Sequence, residues 1–310
     1  MSVVKPDLSV QLGSLKFKNP IMVASGTFGY GKEVERFTDV KRLGAIVAKT
    51  VTLKPRLGNP PPRIVEVTAG MLNAIGLQND GVDQFVREKM PYLRKLNIPV
   101  VVSIAGDTLE EWQELARRFS QVNGVDAIEL NLSCPNIHHQ HGLEWAQDPT
   151  LATEVVKGVR GQTKQFLIAK LSPEIADIRP IAKAVESSGA DAVSVMNTIR
   201  GMAIDLEQRR AVLANKTGGL SGPAIKPIAL RLVWQVAQTV KIPVIGIGGI
   251  MNYKDALEFI LAGATAVQVG TANYINPRAT VEIIDGLGGY LREKKIKTIR
   301  ELIGKAGERL

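Results

Sequence analysis

One cysteine occurs in 310 residues. A single thiol can close no internal disulfide, and it can supply neither a cysteine-ligated iron–sulfur cluster nor a Cys-x-x-Cys metal site. Any redox centre must then be of another kind, or belong to another chain. Aromatic residues make up only 5%, and no basic stretch is interleaved with them in the way that stacks nucleobases. The excess of 39 Lys and Arg over 30 Asp and Glu, a formal charge of +9, is spread along the chain. It reads as a solvated surface biased toward anionic ligands, with no nucleic acid expected. A run of about 18 apolar residues, the length that spans a bilayer, is missing. Lys5, Pro6 and Asp7 fall where a signal peptide needs an apolar stretch, so a cytoplasmic chain with no membrane association is expected. Linkers and low-complexity tracts are also lacking, which makes one domain over 1–310 the simplest account. With 45% hydrophobic residues, 29 Gly and 16 Pro, the composition excludes disorder and collagen-like repeats.

Eight short apolar, β-branched runs are present. They are PIMVASG from residue 20, AIVAKTVT from 45, PVVVSIAG from 99, DAIELNLS from 126, FLIAKLS from 166, DAVSVMNT from 191, IPVIGIGG from 242 and TAVQVG from 265. Each is nearly continuous in hydrophobicity, as a strand covered on both faces must be. Amphipathic segments lie between them, such as 108–124, where Leu109, Trp112, Leu115, Ala116 and Phe119 keep helical spacing, and 175–189. Eight βα units predict a single TIM-type (β/α)8 barrel, because doubly wound sheets more often stop at five or six strands. The long stretches 53–97 and 199–224 predict insertions at the C-terminal face, where such barrels place their chemistry. Residues 9–20 read as a hairpin capping the other end, and 298–310 as an exposed terminal helix.

Candidate chemistry sits at the ends of the runs. The lone Cys134 follows the fourth run, beside Asn131, Pro135 and Asn136. A solitary cysteine is ordinarily a small buried hydrophobe. Here the proline pulls the chain out of the strand and two amides have no place in an apolar core, so a functional thiol is the better reading. Lys49 and Lys170 end the second and fifth runs; an ammonium there calls for an anionic partner or an enzymatic role. Asn73 and Asn79, with Asn197 and Thr198, add paired donors and acceptors suited to a ring bearing amide edges, although single asparagines in such places are often turn residues. Gly246, Gly248, Gly249, Gly270 and Thr271 end the seventh and eighth runs, where TIM barrels bind phosphate through backbone N–H groups. GIGGIM is not the dinucleotide fingerprint, since Met251 takes the sixth place. His138, His139 and His141 lack a well-spaced fourth ligand, so a mobile polar lid is expected there and no metal.

The strings ASGTFG, NPPPR, GMLNAIGLQNDG, ELNLSCPN, AKLSP, ANKTGGLSGPAIKP, IGIGGI and QVGTANY together closely resemble the dihydroorotate dehydrogenase family, in order from about residue 8 to 275. Within it the chain looks like the NAD-linked class 1B catalytic subunits. The resemblance implies an FMN-binding barrel that oxidises dihydroorotate to orotate in pyrimidine biosynthesis. By the same resemblance Cys134 is the catalytic base that takes the C5 proton while hydride leaves C6. Lys49, Asn73, Asn131, Asn197 and Thr198 hold substrate, with Ala74, Ile75, Gly76 and Leu77 looping around the pyrimidine. Lys170 lies near the flavin's pyrimidine end. Ser25, Lys49, Thr50, Asn131, Met196, Gly222, Gly248, Gly249, Gly270 and Thr271 match FMN contacts. Ser103 stands where relatives often carry Asn at another flavin contact, and a hydroxyl offers less bonding capacity than an amide. The class implies a partner subunit carrying FAD and a [2Fe–2S] cluster, two chains of each forming a heterotetramer.

Other readings keep the barrel. A fumarate-linked dihydroorotate dehydrogenase or a dihydropyrimidine-type flavin oxidoreductase would change the redox partner or substrate. A non-redox phosphate-ligand barrel, aldolase-like, would use Lys49 or Lys170 in a Schiff base; it leaves Cys134 and the asparagines unexplained.

Overall fold

The computed structural model describes residues 6–132 and 145–307. All eight apolar runs form strands: β1 (Ile21–Val23), β2 (Ile46–Val51), β3 (Val100–Ile104), β4 (Ala127–Asn131), β5 (Phe166–Leu171), β6 (Ala192–Val195), β7 (Val244–Ile247) and β8 (Ala266–Val269). They pair in parallel in the order β1-β8-β7-β6-β5-β4-β3-β2. A parallel bridge between Met22 and Ala45 joins β1 to the start of β2 and rounds the sheet into a barrel. The strands are predominantly apolar because interior side chains fill one face and helices cover the other.

The helices bury the stripes that the sequence predicts. In Leu109–Ser120 the buried residues are Trp112, Leu115, Ala116 and Phe119, and Thr108 caps the first turn by accepting from the Glu111 N–H. The segment expected over 175–189 narrows to a helix over Arg179–Ser187, with Pro180 in its first turn. The N-terminal hairpin pairs Val10–Leu12 with Leu15–Phe17. Its Gly13 turn lies against the Phe166 ring at the start of β5, so it covers the end of the barrel opposite the strand C-termini.

The C-terminal segment departs from expectation. Ile299–Leu302 is a single 3-10 turn, and Ile299 and Leu302 are buried rather than exposed. Thr298 and Glu301 cap it reciprocally, and Gly304 and Gly307 take left-handed backbone soon after. The turn is tied to the chain start by the Ile299 N–H donating to Asp7 O at 2.9 Å and by an Arg300–Asp7 ion pair at 2.7 Å.

The two long insertions meet. Ile64–Val67 and Gly70–Asn73, from the insertion after β2, join Thr217–Ser221 and Ile199–Met202, from the insertion after β6, in one four-stranded antiparallel sheet. Asn73 is in register with Gly219. A small core of Leu72, Ala74 and Leu213 lies beneath it. Because every barrel strand runs the same way, this sheet stands over the rim where Lys49, Asn131, Lys170 and the glycine loops emerge.

Candidate active site

A cavity of about 780 Å³ opens between the barrel rim and the antiparallel sheet. It falls within the range of small-molecule sites. Its wall includes Ser25, Lys49, Thr50, Asn73, Ala74, Ile75, Gly76, Leu77, Asn131, Lys170, Met196, Asn197, Thr198, Gly222, Gly248, Gly249, Gly270 and Thr271. Of the site residues expected from the sequence, Ser103 does not line this cavity, and Cys134 lies outside the described residues. Pro135, Asn136 and the histidines at 138, 139 and 141 lie outside them too.

One end of the cavity is bounded by the loops after β7 and β8. Gly249 has φ +72°, and a Cβ there would fall 2.8 Å from the Lys226 nitrogen, so glycine is required by the fold itself. The loop is fixed by Asp255, whose Oδ2 accepts from the N–H groups of Met251 at 2.9 Å and Asn252 at 3.1 Å. Lys226 holds Asp255 in turn at 2.7 Å and Glu258 at 3.0 Å. Among the described residues the backbone N–H groups of Gly249, Ile250, Gly270 and Thr271 find no acceptor. Thr271 Oγ1 donates to Ser221 Oγ at 2.8 Å, which ties this loop to the antiparallel sheet.

The floor is polar and layered. Asn131, Thr50 and Ser103 form a buried chain: Asn131 Nδ2 donates to Thr50 Oγ1 at 3.4 Å, and Thr50 Oγ1 lies 3.0 Å from Ser103 Oγ. Ser103 is fully buried; it supports Thr50 from behind the wall. Lys170 sits between Asn131 and Ser194 in the register of the sheet. Its ammonium is 3.9 Å from Glu129 Oε1. Glu129, which the sequence reading passed over, is fully buried; its Oε2 accepts from Gln268 Nε2 at 2.6 Å and Ser194 Oγ at 3.1 Å. The signal for it was a carboxylate in the middle of an apolar run, with Gln268 a matching polar residue in the eighth.

Over the other end come the carboxamides. Asn197 Nδ2 donates to Asn131 Oδ1 at 3.3 Å, Asn197 Oδ1 accepts from the Thr198 N–H at 2.8 Å, and Asn73 Nδ2 donates to Gly219 O at 3.3 Å. The Ala74–Leu77 loop is held by Asn59, whose Nδ2 donates to Ala74 O at 2.9 Å. Asn79 is not part of the rim. It is buried and engaged in the loop: its Nδ2 donates to Thr52 Oγ1 and Leu77 O, and its Oδ1 accepts from the Thr52 and Gly81 N–H groups. The turn-residue reading holds for this asparagine.

The electrostatics favour an anion. Burial, and then the positive charge of Arg63, push the Lys49 ammonium below the usual lysine range, while Asp80 and Glu33 oppose the shift. Arg63, also missed in the sequence, enters the cavity wall from the insertion after β2. Tyr30 on the same wall is pushed up to about 12, first by burial and then by Asp80 and Glu33, so its phenol stays neutral. Among the described residues no group of three or more His, Cys, Asp or Glu could hold a metal ion, and no helix is long and apolar enough to cross a membrane.

The family model described as Dihydroorotate dehydrogenase matches residues 7–291. Dihydroorotate dehydrogenase B (NAD(+)), catalytic subunit, of Trichlorobacter lovleyi is 58% identical over 301 residues, spanning 97% of this chain and 99% of the relative. The proteins of the same description from Geotalea uraniireducens and Geobacter sulfurreducens are each 56% identical, spanning 97% of this chain and 98% of each relative. A crystal structure of DHODH in complex with ferulenol from Eimeria tenella shares the fold, with a TM-score of 0.80 at 24% identity, covering 100% of this chain and 91% of that one. With a family match over nearly its whole length, and relatives more than half identical end to end, this chain belongs to the dihydroorotate dehydrogenase family.

Proposed function

We propose that this chain is the cytoplasmic, FMN-binding catalytic subunit that oxidises dihydroorotate to orotate in pyrimidine biosynthesis. Its electrons pass to NAD through a partner subunit carrying FAD and a [2Fe–2S] cluster, two chains of each forming the working heterotetramer. One observation carries this reading: a single cavity joins unpaired glycine-loop amides, a lysine-bearing floor and a set of carboxamides beside Lys49.

The residues suit a flavin mononucleotide. A Cβ built on Gly26 would meet nothing within 4 Å, and one on Gly270 only side chains at 3.7 Å or more. The fold therefore does not demand glycine at these two cavity positions, whereas a ligand lying against the backbone does. The amides of Gly249, Ile250, Gly270 and Thr271 offer donors to a phosphate. Thr50, Asn131 and Lys170 face the ring region, with Lys170 supplying positive charge where a reduced flavin is anionic. Bound FMN supplies the hydride acceptor for this reaction.

The chain's own groups do the rest. Asn73, Asn131, Asn197 and Thr198 present both donors and acceptors to the amide edges of the dihydropyrimidine, fixing its plane. Lys49, with Arg63 near it, places positive charge for the substrate carboxylate. Ala74–Leu77 close over the ring and exclude water. Cys134 takes the proton from C5 as hydride departs from C6, so that substrate loses one proton and one hydride in forming the ring double bond.

The decisive variant is Cys134→Ser. An alcohol is a much poorer base than a thiol near neutral pH, so anaerobic flavin reduction by dihydroorotate falls by about 10²–10⁴-fold while FMN remains bound. Stopped-flow absorbance at the flavin band reads it. Unchanged reduction kinetics would remove Cys134 from the mechanism.

A further inference from the structure

Among the described residues Glu129 is the one fully buried carboxylate, and the mechanism above does not use it. It shares a face of β4 with Asn131, pointing into the barrel beneath the cavity floor. A lone buried charge is costly unless compensated, and here the compensation is uneven. Oε2 is held by two neutral donors, Gln268 Nε2 at 2.6 Å and Ser194 Oγ at 3.1 Å. Oε1 has no hydrogen-bond donor among the described residues and faces Lys170 Nζ at 3.9 Å. That separation is an ion-pair distance but too long for a hydrogen bond. Lys170, whose side chain is only 7% exposed, borders the cavity and makes no hydrogen bond within the described residues.

A structural ion pair would close until the ammonium donated to the carboxylate. This one is held open from behind: Gln268 and Ser194 fix the carboxylate, so its charge retains the ammonium without consuming its N–H donors. We propose that Glu129 is a positioning residue for Lys170, a fixed counter-charge that keeps the ammonium in place with its donors available to the flavin ring and moderates the positive charge the ring experiences. The inference rests on the functional reading above, because it needs a redox ring over Lys170.

The test is the midpoint potential of the FMN-loaded protein, measured by reductive titration against reference dyes. Glu129→Gln leaves the ammonium less compensated and favours the reduced flavin by roughly tenfold, a positive shift of about 30 mV for a two-electron couple. Lys170→Met moves the potential the other way. In that background Glu129→Gln shifts the potential by much less, because the ammonium through which the carboxylate acts is gone. Glu129→Asp, which keeps the charge, stays close to the parent. An unshifted potential in Glu129→Gln, or an equal shift with and without Lys170, overturns the proposal. If Glu129→Gln does not fold, Gln268→Leu serves. It removes the shorter of the two bonds to Oε2 and leaves Ser194 alone to hold the carboxylate, which then moves toward the ammonium, and the potential shifts negative; no shift overturns the proposal equally. Failure of the parent protein to take up FMN would instead refute the functional reading, so the two failures are distinguishable.

Discussion

At position 270 a methyl group would find room, with its nearest neighbours at 3.7 Å, whereas at position 249 it would strike the backbone of Lys226. The two glycines therefore fail differently. Gly270→Ala leaves the thermal midpoint of the apo-protein unchanged and weakens FMN binding by tenfold or more, read by quenching of flavin fluorescence. Gly249→Ala lowers the apo midpoint as well, since its φ of +72° also disfavours a side chain. Lys49 makes a prediction in pH. Its proton is lost below the ordinary lysine value of 10.5, because burial and Arg63 disfavour the charge. If Lys49 holds the substrate carboxylate as proposed, orotate pairs with the protonated form, so its affinity is flat near neutrality and falls as pH rises through that lowered value. Lys49→Met weakens binding at neutral pH and abolishes this alkaline fall; an unaltered profile in calorimetric titrations would exclude the pairing.

Among the elements, barrel closure depends on one tight place. A Cβ on Gly44 would fall 2.0 Å from Asn19 O, where the Gly44 N–H donates to Ile21 O at 2.8 Å and brings β1 beside β2. Gly44→Ala costs about 1–3 kcal/mol or more, as overpacking against rigid backbone does, and urea unfolding measures it. The eight barrel strands were legible in the sequence because strands buried on both faces read as unbroken apolar runs, and the helix over Leu109–Ser120 because its stripe is regular. The antiparallel sheet was not. Its strands GMLN, TGGLS and IRGM carry glycines and no alternation, and the pairing of Asn73 with Gly219 spans 146 residues, which no local pattern records. Strand ends marked the lysines and carboxamides of the site. Glu129 and Gln268 escaped notice because a single polar residue inside an apolar run looks like an interruption until the barrel brings two of them to 2.6 Å. The terminal turn was misread because buried Ile299 and Leu302 keep helical spacing, while Gly304 and Gly307 stop the helix.

For the molecule as a whole, one thiol means that no iron–sulfur cluster can be housed in this chain. The chain alone is therefore expected to reduce its own flavin with dihydroorotate and to leave added NAD unreduced, with turnover restored by an FAD and [2Fe–2S] subunit. NAD reduction by the isolated chain, or efficient turnover with fumarate instead, would refute that arrangement. The antiparallel sheet over the rim bears on redesign. Its strands come from two insertions far apart in the chain, locked together through Asn73 and Gly219 and tied to the glycine loop after β8 through Ser221 and Thr271. Exchanging one insertion with a homologue would leave the other without its hydrogen-bonding complement. Substrate preference in this scaffold is thus transferable only when both segments are transplanted together as one cassette.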